Sequence, residues 1–239
     1  LMILEIFNRT LKKNCLSYSV LIIHGNRGSG KSTLMALLND EAIKQGREVY
    51  CQYPYRGAHQ IPLTKSTDKG VLRLDVDKEW LYSNAFPKGS VIILDESSTI
   101  WPARSFAKWS ERDSEFFNFV RKQEITIILG CQYIDTLDLN VRRSADGTYF
   151  LNDSIHVNNF SIVEESKTFT VKIADKNTEI LGEGFKRGAQ KITFDVCEIP
   201  VGRYRFYRKP YYGKFDSYYV PFNKVPQPQP LWDETYFTT

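Results

Sequence analysis

The chain has 239 residues, of which 42% are hydrophobic and 25% are charged, and its formal net charge is +4. This length and composition fit one α/β core with an appendage, and they indicate a globular protein and exclude a disordered one. No apolar run reaches the roughly 18 residues of a membrane-spanning helix, and the apolar start at residues 1–7 is too short for a signal peptide, so we expect neither. The four cysteines, Cys15, Cys51, Cys131 and Cys197, have no paired spacing and indicate reduced thiols of a cytosolic protein.

Residues 1–150 alternate between strand-like and helix-like patterns. The predicted strands are 19–24, 48–54, 71–76, 91–95, 126–131 and 148–151, and the predicted helices are 31–45, ended by Gly46, and 110–123. Such alternation predicts a parallel sheet with helices on both faces.

The pattern changes after residue 151. Residues 169–174 and 204–206 alternate apolar and polar side chains, with Gly182, Gly184, Gly188 and Gly202 between or beside them. These features predict antiparallel strands added to the core. From Pro221 the chain is rich in proline, including PQPQP at 226–230, which indicates an extended tail.

Residues 25–33 read GNRGSGKST, in which Gly25, Gly30, Lys31 and Ser32 fill the pattern of a phosphate-binding loop. The loop's glycines let backbone N–H groups turn around a polyphosphate, and the N-terminus of the following helix adds partial positive charge. An ordinary glycine-rich turn is the alternative. A dinucleotide fingerprint does not fit, because the glycines fall at 25, 28 and 30.

We predict that the whole loop takes part in nucleotide binding. Lys31 is expected to reach the β- and γ-phosphates and Ser32 to ligate Mg²⁺, whereas Arg27 is expected to face solvent or a neighbour. The predicted nucleotide-binding residues are Gly25, Asn26, Arg27, Gly28, Ser29, Gly30, Lys31, Ser32 and Thr33.

A second signal is VIILDE at residues 91–96, a buried strand followed by two carboxylates. In α/β sheets, ligands lie at this end of the strands. Asp95 is predicted to hold Mg²⁺ through a water molecule, and Glu96 to accept a proton from the attacking water. Capping of a helix by either carboxylate is the alternative.

The strand predicted at 126–131 is followed by Gln132, whose amide carries both a donor and an acceptor. A side chain at this place can sense the γ-phosphate or orient the water; a hydrogen-bonded loop residue is the alternative. Arg142 and Arg143 follow in a segment rich in helix formers. One of them is a candidate arginine finger that acts across a subunit interface, with a solvated basic pair as the alternative, and Arg121 and Arg104 are further candidates.

The sequence lacks the Asn-Lys-x-Asp motif that reads guanine, which favours ATP as the nucleotide. The three histidines, His24, His59 and His156, form no metal-binding or nucleophile pattern. We expect His24 only to end the strand before the loop.

The order of these motifs resembles the zonular occludens toxin (Zot) family, the ATPases of inovirus assembly, within the wider FtsK–HerA group of DNA pumps. Over residues 17–150 the loop is followed by 91–96, by IWPAR at 100–104, by EFFNFVR at 115–121, by the strand that ends at Gln132, and by an Ile/Asp/Val-Arg stretch at 134–142. The Trp-Pro-x-Arg sequence and Gln132 are the more selective features, since many ATPases share the others.

The resemblance implies a homo-oligomeric, hexameric ATPase that uses ATP and Mg²⁺ to drive DNA or virion movement at a membrane. It implies that Lys31 and Ser32 bind phosphate and Mg²⁺, that Asp95 and Glu96 are the metal and base carboxylates, and that Gln132 is the sensor. The implied partners are single- or double-stranded DNA and virion or membrane assembly proteins. The implied location is the host cytoplasm, at the inner face of the membrane or with the virion.

The predicted fold class is therefore α/β: a P-loop NTPase of the RecA/FtsK type, with a parallel sheet flanked by helices and antiparallel β additions at the C-terminus. The predicted domains are a P-loop ATPase core at 1–150, a β-rich extension at 151–220 and a Pro-rich tail at 221–239.

The β-rich extension contains a basic, aromatic stretch between Lys186 and Phe215. Its eight cations are Lys186, Arg187, Lys191, Arg203, Arg205, Arg208, Lys209 and Lys214, and only Asp195 and Glu198 oppose them. Phe206, Tyr207, Tyr211, Tyr212 and Phe215 lie among these cations. This composition suits a single-strand nucleic-acid site, and a solvated face of a β-sheet is the alternative.

Three functions fit these features. The first is an oligomeric motor ATPase for virion assembly or DNA packaging. The second is a P-loop kinase, which would need an arginine-bearing lid that is not evident in the sequence. The third is a nucleotide-regulated assembly switch. Glu96 and Gln132 favour hydrolysis of ATP by water.

Overall fold

The computed structural model describes residues 2–68, 71–103, 109–152, 160–174, 192–211 and 214. The helices are α1 (Met2–Cys15), α2 (Lys31–Lys44), α3 (Lys78–Ser83), α4 (Glu111–Lys122) and α5 (Leu139–Ser144). The strands are β1 (Val20–His24), β2 (Val49–Cys51), β3 (His59–Gln60), β4 (Leu63–Asp68), β5 (Val71–Val76), β6 (Val91–Leu94), β7 (Thr126–Cys131), β8 (Gly147–Asn152), β9 (Phe160–Ala174) and β10 (Ile192–Tyr207). Within these residues, no helix has the length and apolar character needed to cross a membrane.

Eight of the strands form one sheet in the order β10-β9-β8-β1-β7-β6-β2-β3. The six strands from β8 to β3 in this order are parallel to one another. β9 runs antiparallel to both β8 and β10. The predicted fold class, a parallel sheet flanked by helices with antiparallel C-terminal additions, is confirmed.

The central strand β1 is buried on both faces. Leu21 and Ile23 belong to a core that includes residues of α1 and α2, while Val20 and Ile22 belong to a second core that includes residues of α4. A strand covered on both faces has no polar face, and this explains the continuous apolar run that precedes the loop.

The two helices predicted from the sequence end within two residues of their predicted limits. α2 ends just before Gly46, which has a φ of 73° that favours glycine. α4 begins with a capping box: Ser110 Oγ accepts a hydrogen bond from Asp113 N, and the Asp113 carboxylate accepts one from Ser110 N. Local signals therefore fix both helices.

Helix α1 is not among the predicted elements. It buries one stripe, on which Asn8, Leu11 and Cys15 lie, against the first core. The stripe is surrounded by apolar side chains only after the rest of the protein has folded around it. The short apolar segment at the start of the chain therefore does not by itself indicate a helix.

Residues 71–76 form a strand as predicted, but their assignment to the parallel sheet is wrong. β5 pairs antiparallel with β4 in a separate two-stranded sheet, where Leu63 is opposite Val76. Only two residues separate β4 from β5, and so short a connection permits antiparallel but not parallel pairing. The strand predicted at 48–54 is also shorter, Val49–Cys51.

β9 and β10 contain the alternating segments 169–174 and 204–206, and they continue the main sheet from β8. The limits of the three predicted domains stay a prediction. Gly182, Gly184 and Gly188 and the Pro-rich tail at 221–239 lie outside the described residues.

Candidate active site

The loop between β1 and α2 lies at the carboxyl edge of the parallel strands. Gly25, Gly28 and Gly30 have φ values of 147°, 82° and 99°, a region that residues with a side chain rarely adopt. The side chain of Lys31 is buried, and its Nζ donates hydrogen bonds to the carbonyl oxygens of Gly25 and Asn26 over 2.8 and 3.1 Å. The ammonium group therefore lies within the curve of the loop.

The first residue of the loop is fixed between two strands. A Cβ at Gly25 would lie 2.4 Å from the carbonyl oxygen of Leu151 in β8, so a side chain does not fit there. Gly25 N donates to the carbonyl oxygen of Gln132, after β7, over 3.2 Å. The later loop residues Ser29 and Thr33 are buried, whereas Asn26, Arg27 and Gly28 are exposed.

Ser32 in the first turn of α2 meets Asp95, the residue that follows β6. Ser32 Oγ donates a hydrogen bond to Asp95 Oδ2 over 2.8 Å, and Asp95 Oδ1 accepts one from Glu96 N over 2.9 Å. Hydroxyl and carboxylate oxygens are ligands that suit Mg²⁺, so this pair fits a magnesium site that is completed by oxygens of the nucleotide and water. In the described part of the chain, no three His, Cys, Asp or Glu side chains form a metal-binding group.

The position of Asp95 depends on a glycine in the neighbouring strand. A Cβ at Gly130, in β7, would lie 2.6 Å from Asp95 Oδ1 and 2.4 Å from Met35 Cε. A larger residue at 130 would displace the carboxylate or the methionine. Gly130 is not among the predicted site residues, because a single glycine in an apolar strand carries no distinctive spacing.

Glu96 is exposed and has a φ of 49°, a left-handed backbone conformation that costs about 1–2 kcal/mol for a residue with a side chain. Thr99 holds this turn, since its N and Oγ1 each donate to the Glu96 carbonyl oxygen over 2.9 Å. Gln132 Nε2 donates a long hydrogen bond of 3.5 Å to Glu96 Oε1. The structure thus brings Glu96 and Gln132 together beside the Ser32–Asp95 pair.

The start of the IWPAR sequence connects the segment after β6 to the segment after β7. Trp101 is buried, and its Nε1 donates to Asp113 Oδ1 over 2.7 Å. Asp138 N donates to the Trp101 carbonyl oxygen over 2.9 Å, and Ala103 N donates to the Thr136 carbonyl oxygen over 2.8 Å. A shift of one segment will therefore displace the other.

Arg142 and Arg143 are half-buried in the last turn of α5. α5 leads from the carboxyl edge of the sheet, where β7 ends, towards the amino edge, where β8 begins at Gly147 beside Leu21. The two arginines consequently lie towards the amino edge and not beside the phosphate loop of the same subunit.

Arg121, a further candidate, also lies at the amino edge. Its Nη2 donates to the Ser144 carbonyl oxygen over 2.8 Å and to Asp146 Oδ1 over 3.1 Å. Asp146 Oδ2 in turn accepts hydrogen bonds from the backbone at the start of β1. The structure does not bring Arg121 to the loop, and Arg104 lies outside the described residues.

His24 ends β1, and its ring packs against Phe150 with 5.2 Å between the ring centroids. Burial, together with the nearby charge of Lys31, lowers the pKa of His24 to about 4. The imidazole is therefore neutral at pH 7, directly before the loop.

Ser161 in β9 and Arg208, which follows β10, reach the loop, and neither is among the predicted site residues. Ser161 Oγ donates to the Ser29 carbonyl oxygen, and Arg208 Nη1 donates to the Gly28 carbonyl oxygen over 2.9 Å. These pairs are 132 and 180 residues apart in the sequence, so no local pattern indicates them. Arg208 enters the sequence prediction only as one of eight cations.

The described cations of the basic stretch have different environments. Arg203 pairs with Glu164 over 3.5 Å on an exposed face of β9 and β10, and Arg205 is exposed. Lys214 forms an ion pair with Asp40 of α2. The residues that lie outside the described ones are Lys186, Arg187, Lys191, Tyr212 and Phe215. A nucleic-acid interface on this stretch stays a prediction.

The parallel sheet, the glycine-rich loop before α2 and the Ser32–Asp95 pair define a protein with the P-loop NTPase fold. Residues 19–180 match the family described as Zonular occludens toxin (Zot). This match covers more than half of the chain, and the chain belongs to the Zot family. The resemblance seen in the sequence is thereby confirmed.

Solved structures include similar chains. The N-terminal domain of zonular occludens toxin from Neisseria meningitidis is 26% identical, with 62% of this chain and 83% of that chain covered and a TM-score of 0.48. The genome packaging NTPase B204 from Sulfolobus turreted icosahedral virus 2, in complex with ATP-gammaS, is 16% identical, with 59% and 78% covered and a TM-score of 0.44. No curated protein matches the chain.

Proposed function

We propose that this protein is a Mg²⁺-dependent ATPase that works as an oligomeric motor and moves nucleic acid during virion assembly or packaging. The observation that carries the proposal is the 2.8 Å hydrogen bond from Ser32 to Asp95, with Glu96 and Gln132 beside it. Together with the buried Lys31, these side chains are the parts that hydrolysis at a P-loop requires. Membership of the Zot family supports virion assembly as the setting.

Nucleotide binding would begin at the loop. The N-terminus of α2 and the N–H groups of the loop favour a polyphosphate, because they present partial positive charge. Lys31 Nζ now donates to two carbonyl oxygens of the loop, and it can exchange them for oxygens of the β- and γ-phosphates. A charged acceptor forms the stronger hydrogen bond, so this exchange favours the bound state.

Ser32 and Asp95 would hold Mg²⁺, which when bound supplies positive charge against the phosphate oxygens. Glu96 is exposed at the same edge and accepts the proton of the attacking water. The water oxygen then bonds to the γ-phosphorus while the bond from that phosphorus to the β,γ-bridging oxygen breaks, which gives ADP and phosphate. Gln132 donates to Glu96 Oε1 and keeps the carboxylate turned towards this edge.

The position of the arginines supports the proposal that the protein is an oligomer. Arg142 and Arg143 lie towards the amino edge of the sheet, away from the loop of their own subunit. An arginine that stabilises the transition state would then come from a neighbouring subunit. A ring, with six subunits as the family resemblance implies, provides such a neighbour at every site.

The test is the rate of phosphate release from ATP without DNA, with single-stranded DNA and with double-stranded DNA. A motor is stimulated by DNA, and Lys31→Ala protein prepared in the same way shows no turnover. Phosphate transfer to an added acceptor would identify a kinase instead. Slow hydrolysis that no DNA accelerates would identify an assembly switch and refute the motor.

A further inference from the structure

The chain that leaves β10 crosses the outer side of the phosphate loop. Arg208 Nη1 donates to the Gly28 carbonyl oxygen over 2.9 Å, and Ser161 Oγ, from the neighbouring strand β9, donates to the Ser29 carbonyl oxygen. Two successive peptide groups of the loop are therefore bound by β9 and by the segment that follows β10.

The contact is close as well as polar. A Cβ at Gly30 would lie 2.7 Å from Arg208 Cδ and 3.0 Å from Ser161 Oγ. The third glycine of the loop thus lets Arg208 and Ser161 approach the loop backbone, in addition to adopting a φ of 99°.

The segment around Arg208 is anchored on both sides. Phe206 is fully buried in the first core, and the Tyr211 ring packs against it with centroids 6.0 Å apart. Lys214 pairs with Asp40 of α2 and lies 5.5 Å from the centroid of the Tyr211 ring. We call these four residues, Phe206, Arg208, Tyr211 and Lys214, the C-terminal strap. The strap contacts the loop through Arg208 and α2 through Lys214.

Because a peptide group is planar, a hydrogen bond to its carbonyl on the outer side of the loop also fixes the direction of its N–H. In a trans peptide, the carbonyl of one residue and the N–H of the next point in opposite directions. When Ser161 binds the Ser29 carbonyl on the outer side, the N–H of Gly30 points to the inner side. When Arg208 binds the Gly28 carbonyl, the N–H of Ser29 points inwards, where it donates to the Asn26 carbonyl oxygen over 3.1 Å and closes the turn.

We propose that Arg208, assisted by Ser161, is a positioning residue of the nucleotide site that presets the loop for phosphate and couples nucleotide binding to the C-terminal strap. The inference rests on the proposed nucleotide binding. Because coupling between two sites is reciprocal, a nucleotide that stabilises the loop conformation also stabilises the contact with Arg208 and the strap that carries it.

The first test is the affinity for a fluorescent ATP analogue with Mg²⁺, measured on the full chain. Arg208→Ala is expected to weaken binding about tenfold, the equivalent of one hydrogen bond from a charged donor. Arg208→Lys should restore part of the affinity. Arg205→Ala, which removes an exposed arginine of β10, is the matched control and should bind as the parent does. At saturating ATP, Arg208→Ala should keep turnover within a few-fold of the parent, because Arg208 acts on the loop and not on the reacting atoms.

The second test measures the coupling as the rate at which trypsin cleaves the bond after Lys214. The ATP analogue should slow this cleavage in the parent and in Arg205→Ala but not in Arg208→Ala. Should Arg208→Ala fail to fold, Arg208→Lys and Ser161→Ala carry both tests. This inference would be overturned if the Arg208 and Ser161 variants bound the ATP analogue as the parent does and were equally protected from trypsin by it. If Lys31→Ala lost binding in the same experiment, the proposed function would remain intact. Parental affinity in Lys31→Ala as well would overturn the proposed function itself.

Discussion

Ser32 and Asp95, 63 residues apart in the sequence, share a hydrogen bond of 2.8 Å between hydroxyl and carboxylate. Ser32 belongs to the helix that follows β1, and Asp95 follows β6, with β7 between these strands in the sheet. The missing side chain of Gly130 in β7 leaves the space that Asp95 occupies. Three neighbouring strands therefore position the two side chains, Ser32 and Asp95, that fit a magnesium site.

Lys31→Ala is expected to weaken ATP binding by about a hundredfold, because a buried cation within the loop is lost and hydrogen bonds from charged groups contribute up to about 3 kcal/mol. Isothermal titration with ATP and Mg²⁺ measures the change. Lys44→Ala, an exposed lysine at the other end of α2, is the control and should bind as the parent does. Equal affinities in all three proteins would overturn the assignment of the phosphate loop.

Glu165→Gln is expected to lower the free energy of unfolding by about 2–3 kcal/mol. Glu165 is buried, which raises its pKa, but the hydrogen bonds it accepts from Tyr18 and Tyr204, each over 2.6 Å, outweigh burial and lower it. The amide would place a donor where a hydroxyl now donates. Urea unfolding tests this, with Glu164→Gln on the exposed side of the same strand as control; a similar stability for both variants would be the contrary result.

His24 is expected to make stability depend on pH between about 4 and 6.5. Its pKa falls from 6.5 to about 4 on folding, so in this range the unfolded chain carries the extra proton. The contribution of the neutral imidazole is fully present above pH 6.5 and is lost as the pH falls towards 4, at about 1.4 kcal/mol per pH unit. Unfolding of the parent and of His24→Asn across this range should show a shallower decline for the variant; identical slopes would disprove the role of His24.

If Arg142 or Arg143 acts in a neighbouring subunit, ATPase activity per subunit should rise with protein concentration. Mixing Glu96→Gln subunits with Arg142→Ala or Arg143→Ala subunits should restore activity, because some interfaces then pair an intact carboxylate with an intact arginine. An arginine finger contributes about 10³–10⁵ in rate, so partial restoration is measurable. Turnover that is independent of concentration, with no restoration in any mixture, would show that the subunit works alone.

The parts of the fold that the sequence predicts well are those with a local cause. β1, β6 and β7 are buried on both faces and therefore appear as continuous apolar runs, and α4 carries its own capping box. The phosphate loop is readable because consecutive residues form it.

The other parts depend on contacts between distant segments. β5 is a recognisable strand, but its partner β4 decides which sheet it joins. Arg208 and Ser161 touch the loop only because β9 and β10 extend the sheet beyond β8, and Gly130 matters only because Asp95 lies above it. No pattern of neighbouring residues indicates these contacts between distant segments. The loop and the carboxylates can therefore be predicted from the sequence, whereas the residues that support them cannot.

In the proposed mechanism, the carboxylate of Glu96 takes the proton of the water that hydrolyses ATP. Phosphate release and ATP binding measured on the same samples of parent, Glu96→Gln and the exposed control Glu115→Gln test it most directly. We expect Glu96→Gln to bind ATP and Mg²⁺ as the parent does while its turnover falls by about 10²–10⁴, with Glu115→Gln unchanged. Parental turnover in Glu96→Gln would show that Glu96 is not the base and that the base lies elsewhere.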